Sequence, residues 1–414
     1  MDLEQQLRST YADRLGALDL PSGDAAAARR TGARMHARRR VAVGLAAVAV
    51  VAVGVGSALL GSGRVSIGPS GGAGHWRELP AAPLSPRADA LSVWTGSELV
   101  VVGGDTEPCP PNASCVEVAS LRKDGAAYVP STGRWHPIAD APIGVGPGDR
   151  LVAAGGKVVL RKRLTDGEAR YFVYDPDGDS WTMIGTRGVE KGTGLPSALG
   201  SEMYVVSGRR VSVLDVSRGS WRELPIDPIR PSLTQRSVTA TDVGPVVTGY
   251  DSTQPNDGRS PSVVLADVFD GKTWRRLPAT GQLDNLWTWN GSRMVDADPT
   301  VVDGGETDPF PHPYPAGGLL DPATGEWSAL PRALSADTGE GWGVNASGPR
   351  WFATYGQVYD SQTGSVVRLS RPDGAAEEGT AAAWADASLV VFGGATFGPK
   401  SELSNQAWSW SPTS

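Results

Sequence analysis

The stretch Tyr174-Asp175-Pro176-Asp177-Gly178-Asp179-Ser180-Trp181 closes one alternating apolar run and opens the next. Asp and Gly supply what a tight turn needs: a side-chain acceptor for backbone N–H groups and a residue at ease with positive φ. The pattern returns as Val129-Pro130-Ser131-Thr132-Gly133-Arg134-Trp135 and as Asp321-Pro322-Ala323-Thr324-Gly325-Glu326-Trp327. Looser copies are Leu214-Asp215-Val216-Ser217-Arg218-Gly219-Ser220-Trp221 and Phe269-Asp270-Gly271-Lys272-Thr273-Trp274. Tyr359-Asp360-Ser361-Gln362-Thr363-Gly364-Ser365 keeps the turn and lacks the Trp. A hairpin that recurs every roughly 40 to 50 residues marks the blades of a β-propeller.

Working outward, each blade reads as four strands, a to d, with this hairpin joining c to d. The first has Asp89–Trp94, Leu99–Val102, Gly125–Val129 and Arg134–Ile138. The next five run from about Leu151 to Ile184, Pro196 to Pro225, Ser237 to Pro278, Leu286 to Pro331 and Trp342 to Leu369. The last has Ala381–Trp384, Leu389–Gly394 and Gln406–Pro412, one strand short. His75-Trp76-Arg77-Glu78-Leu79-Pro80 repeats Ser220-Trp221-Arg222-Glu223-Leu224-Pro225 almost residue for residue. The missing strand d is therefore at the other end of the ring, and pairing it with the strand of Trp408 and Trp410 leaves no open edge. Seven blades follow; six remain open if the degenerate sixth region is not a full blade.

These features carry a resemblance. Gly103-Gly104 and Gly393-Gly394 follow a hydrophobic strand b, a Tyr or Phe sits in strand c, and Trp-Arg-x-Leu-Pro forms strand d. With the Asp-Pro-x-Thr-Gly-x-Trp turn, they resemble kelch repeats of the galactose-oxidase-like propellers over residues 75–414. Gly155-Gly156 reads instead as an a–b turn. The resemblance implies an all-β fold and leaves function open, because propellers serve enzymes, adhesins and sensors alike.

Composition agrees with many short strands around wedge-shaped cores: 414 residues with Gly 53, Pro 32 and Trp 14. The net charge of −7 argues against a nucleic-acid surface on the main domain.

Residues 1–40 differ from the rest. Leu3, Leu7, Tyr11, Leu15 and Leu18 fall on one face of a short helix, and Arg29, Arg30, Arg34, Arg38, Arg39 and Arg40 follow. Val41–Leu60 carries no charge, and about 20 such residues span a bilayer. The arginines before it, against Arg64 alone just after, place the N-terminus in the cytoplasm and the rest outside. The domains expected are a cytoplasmic segment at 1–40, a transmembrane helix at 41–61, a Gly/Ser linker at 62–74 and the propeller at 75–414. A cleaved signal peptide, with Gly56-Ser57-Ala58 near the cut, is the competing reading.

Candidate chemistry is sparse. The resemblance suggests a copper oxidase, which needs two imidazoles near the axis. Of 4 histidines, His36 precedes the membrane segment, His75 and His136 adjoin the Trp of strand d, and His312 alone lies in a loop. Cys109 and Cys115, in a Pro-rich loop outside the membrane, favour a disulfide. Asp296, Asp298, Asp303, Glu306 and Asp308 could offer oxygens to Ca²⁺, with solvated loop acids as the simpler reading. Phe310, His312 and Tyr314, interleaved with prolines, form a stiff aromatic finger suited to recognition.

The expected protein is a single-pass membrane protein bearing an extracytoplasmic seven-bladed kelch-like propeller. It binds a protein, glycan or small ligand without catalysis, cofactor or metal. Its long b–c loops, Asp105–Asp124, Tyr250–Pro261, Asp303–Pro315 and Ala395–Asn405, share one face, where Phe310, His312 and Tyr314 are the expected anchors. A second reading is a membrane-anchored regulator resembling the anti-sigma type, with residues 1–40 holding a cytoplasmic partner. No His-Cys zinc pattern occurs there. A third is a carbohydrate-active or oxidase enzyme of the galactose-oxidase-like group.

Overall fold

The computed structural model describes residues 74–107, 120–164, 167–186, 189, 194–254, 262–280, 285–296, 318–330, 342–354, 356–397 and 402–412. The chain divides into two units, Met1–Arg64 and Val65–Ser414, and every described residue belongs to the second. That unit is a seven-bladed β-propeller, all-β in its described residues.

Seven four-stranded antiparallel sheets follow one another along the chain. Blade one is Leu91–Trp94, Leu99–Val102, Gly125–Val129 and Arg134–Ile138. Its last three strands fall on the residues expected, and its first is two residues shorter. Blades two, three and four begin at Arg150, Ser197 and Leu233 and end at Ile184, Glu223 and Arg276. Blade five runs from Thr288 to Ala329 and blade six from Ala346 to Arg368. The sixth region is therefore a full blade although it lacks the hairpin Trp: Val366 pairs with Tyr359 where the Trp would stand. Blade seven closes the ring with His75–Glu78 beside Ala407–Ser411, in a register that places Trp76 opposite Trp410.

The repeated hairpin works through its Asp. Asp175, Asp215, Asp270, Asp321 and Asp360 each accept the N–H two residues on, at 2.8–3.2 Å. Positive φ falls on Gly133, Gly219, Gly271, Gly325 and Gly364. Blade two departs from the expectation: Asp179, not Gly178, takes the left-handed conformation (φ 41°). Its carboxylate accepts Ala139 N–H at 2.7 Å and Tyr174 O–H at 2.9 Å, and a glycine could make neither bond. These contacts offset the steric cost of αL for a residue with a Cβ.

Packing lies between blades. Seven apolar clusters each join the facing sides of two neighbours, one per seam around the ring. The strand-d Trp rings cap these seams. Trp76, Trp181 and Trp274 donate their indole N–H to Ser370, Ala139 and Pro225 carbonyls at 2.7–2.9 Å. Each acceptor lies just beyond strand d of the preceding blade, so the same staple joins blades six to seven, one to two and three to four. Among the described residues no helix is long and apolar enough to cross a membrane, and Val41–Leu60 lies outside them.

Candidate binding face

In a four-stranded antiparallel blade the a–b and c–d turns leave at one edge, and the b–c loops and d–a links at the other. The first group is short throughout: Gly155-Gly156, for example, is the a–b turn of blade two, as read from the sequence. The second group is unequal. Blades two, three and six have short b–c turns, between Arg163 and Ala169, Ser207 and Arg210, and Thr354 and Gln357. In blades one, four, five and seven, strands b and c lie much further apart: Val102 to Gly125, Asp251 to Leu265, Asp296 to Gly318 and Phe392 to Ala407. These four long b–c loops leave at the same edge as the d–a links, which are also long, as between Ala329 and Ala346. Part of one is visible as a small ribbon that the sequence reading missed, Ala395–Thr396 against Glu402–Leu403.

Backbone bonds knit these loops to the d–a links. Ala88 bridges Asp105, Asp105 bridges Leu121, and Glu378 bridges Ala395. Ala141 and Val145 N–H reach Lys123 and Arg122 carbonyls at 2.8 and 2.9 Å. The two Gly pairs make this knitting feasible. Gly103, Gly104, Gly393 and Gly394 all have positive φ. A Cβ on Gly393 or Gly104 would sit 2.8 Å from the Arg87 or Ala88 carbonyl. Only glycine satisfies both demands.

Arg87 lies between the two pairs and is fully buried (0 % exposed). Its carbonyl accepts Gly394 N–H at 2.8 Å. Its guanidinium reaches Gly103 O at 3.0 Å and both oxygens of Asp124, at 2.9 and 2.7 Å. The same contact holds the Asp124 carboxyl below its ordinary pKa. This fork geometry fixes the base of the blade-one loop. The sequence held the clue in Pro86-Arg87, but the partner lies 37 residues on and spacing does not announce it.

On the side of blades seven and one, burial and the nearby charges of Asp105 and Glu378 raise the pKa of Asp89. On the side of blades three and four stand Arg230 and Arg236, whose charges interact with Asp227 and Asp267. Among the described residues no three His, Cys, Asp or Glu gather as a metal would require. His75 and His136 lie in outer strands, and His136 Nε2 is 3.1 Å from Glu98.

Asp296 corrects one expectation. It ends strand b of blade five and is fully buried; it is a core residue at the root of the loop, not a solvated loop acid. Asp298, Asp303, Glu306 and Asp308, the candidate anchors Phe310, His312 and Tyr314, and the pair Cys109 and Cys115 lie outside the described residues. No protein-family model matches this sequence, and no curated protein matches it.

Proposed function

We propose that the propeller is a non-catalytic binding module of kelch type whose ligand docks on the face carrying the b–c loops. One observation carries this reading: the four long b–c loops leave the ring at the same edge as the d–a links, while the a–b and c–d turns of the opposite edge are uniformly short. Long loops on a rigid scaffold are the usual place for recognition. Phe310, His312 and Tyr314 supply aromatic anchors on the blade-five loop. The uncharged Val41–Leu60 holds the chain in a membrane, the arginines before it keep residues 1–40 in the cytoplasm, and the propeller meets a protein, glycan or small ligand outside.

The test uses the full-length chain in lipid nanodiscs, presented to arrays of extracellular proteins and glycans. For any ligand found, shortening 303–315 should weaken binding about tenfold or more. Thr132→Ala and Ser292→Ala, at exposed positions of the opposite face, should leave it unchanged. Asn290 is unsuitable as a control: it is buried and its Oδ1 accepts Ser292 and Arg293 N–H groups at 3.1 and 2.8 Å. Equal losses from both faces would overturn the assignment.

A further inference from the structure

Cations gather where blades two and three turn from strand b to strand c. Strand b of blade two, Lys157–Arg163, ends in Arg161-Lys162-Arg163, and strand c, Ala169–Asp175, opens on Ala169-Arg170. Strand a of that blade begins at Arg150. In blade three the b–c turn itself carries Arg209, and Arg210 opens strand c. The pairing register sharpens this. Arg150 stands directly across from Arg161, and Lys162 directly across from Arg170. Like charges directly opposite one another destabilise a sheet, and blade two keeps two such pairs in adjacent rows.

Part of this charge is answered within the protein. Lys162 Nζ donates to Asp149 Oδ2 at 2.9 Å and to Gly144 O at 2.6 Å. Arg210 Nη1 meets Glu223 at 2.6 Å, and Arg161 is buried. The remainder faces outward. Arg150, Arg163, Arg170 and Arg209 are exposed, and none of them forms an ion pair with a described residue. Arg150 and Arg209 donate to backbone carbonyls, Asp149 O at 2.7 Å and Asp227 O at 3.3 Å. A carbonyl accepts such a bond without cancelling the charge. Of the acids at this edge, Asp149 and Asp227 are buried and Glu168 is half-buried.

The b–c turns here are short, 164–168 and 208–209, and they lie between the blades whose b–c loops are long, one and four. Two observations narrow what this stretch of rim can hold. Single-stranded nucleic acid is gripped by stacking its bases on aromatic faces, and Tyr171, the ring at this edge, is buried. An aliphatic contact is offered instead. Ile226, 48 % exposed, immediately precedes the residue whose carbonyl holds Arg209. Exposed guanidiniums beside an exposed aliphatic side chain match a polypeptide in which Asp or Glu accompanies an apolar residue. A glycan has no such side chain to cover Ile226.

We propose that the b–c edge of blades two and three binds an acidic protein segment, its carboxylates on Arg163, Arg170 and Arg209 and an apolar side chain on Ile226. Guanidinium and carboxylate match as planar forks, and gathered charge of one sign speeds the encounter. Bound carboxylates also relieve the repulsion between Lys162 and Arg170. The proposal rests on the loop-face reading and gives its ligand a chemistry.

The test titrates a fluorescent peptide of repeated Glu-Glu-Leu into the full-length chain in nanodiscs of zwitterionic lipid. Repeated Gln-Gln-Leu, a single-stranded oligonucleotide and a polyuronate serve as comparisons. The acidic peptide should bind at least about tenfold more tightly than any of these, and added salt should weaken it. Arg163→Glu with Arg209→Glu should weaken it about tenfold or more. Arg134→Glu with Lys272→Glu makes the same change of charge at exposed positions of the opposite edge and should leave binding unchanged. If the first pair does not fold, Arg163→Gln with Arg209→Gln makes the same comparison by neutralising the two charges. An acidic peptide that does not bind, or that binds less tightly than the oligonucleotide or the polyuronate, overturns this proposal and leaves the loop-face reading in place. Equal losses from the two pairs also overturn it, since they show attraction to net charge alone. Loss from the opposite-edge pair only overturns both readings.

Discussion

Trp76 lies directly across an antiparallel strand pair from Trp410, one from the first strand of the ring and one from the last. Their surroundings differ. Trp410 is 1 % exposed and meets Trp384 edge-on at 6.2 Å. Trp76 is half-buried, with its ring edge-on to Trp342 at 5.5 Å and its indole N–H on Ser370 O. Trp410→Ala should therefore cost about 3–5 kcal/mol, the price of an emptied core site. Trp76→Ala should cost less, about 1–3 kcal/mol, since water already reaches part of its ring. Urea unfolding of the two variants checks the order. Deleting residues 75–80 should do more than either, because it bares the edge of Ala407–Ser411 and invites aggregation.

The buried fork of Arg87 gives a second expectation. Arg87→Ala should cost about 2–5 kcal/mol, because it empties a fully buried position and leaves the partly exposed Asp124 with Arg122 alone, at 3.4 Å. Asp124→Asn should cost less and remove part of the acid sensitivity. The depressed pKa of Asp124 means that its stabilisation is present above the ordinary carboxylate range and is lost as pH falls below it. An acid-unfolding curve that does not change in Asp124→Asn would contradict this.

Asp179 separates backbone strain from hydrogen bonding. Asp179→Ala keeps the unfavourable φ and loses the bonds to Ala139 and Tyr174, a cost of about 1–2 kcal/mol. Asp179→Gly should recover about 1 kcal/mol of that by relieving the backbone. Thermal unfolding in the order wild type, Gly, Ala would show both terms; equal melting of the two variants would show that strain is negligible.

Topology is tested outside the ring. A reporter fused after Ser414 should be active only outside the cytoplasm, and the protein should stay with membranes. Thiol alkylation before and after reduction, followed by mass spectrometry, should find Cys109 and Cys115 linked. A propeller released into the medium would instead indicate cleavage near Gly56-Ser57-Ala58.

The ring was legible because its information is local and repeated. Asp321 and Gly325 specify a turn within five residues, and His75–Pro80 declares itself a displaced strand d by matching Ser220–Pro225. Even the weak sixth blade could be counted, since Asp360 and Gly364 keep the turn after the Trp has gone. What escaped was pairwise and distant. Nothing near Arg87 names Asp124, and nothing near Asp267 foretells that an acid in an apolar strand will meet Arg230. The start of blade four was missed because an irregularity between Thr234 and Ser237 breaks the alternation that marks a strand. Of the binding face, the sequence revealed which loops are long; the Arg87 fork and the Gly pairs that root them needed three dimensions.

The closing strand also sets an order of events. Leu84 and Asn405 are joined by a hydrogen bond across 321 residues. At about 5–20 residues per second of synthesis, roughly 16 to 64 s pass between the emergence of one and of the other. Throughout that interval the strand made first has no partner, and the half-built ring presents a raw edge at its growing end. Biogenesis must therefore shelter His75–Glu78 until the final strand arrives. A cell short of chaperones on the side where the propeller folds should accumulate truncated or tangled chains long before the finished protein shows any weakness of its own.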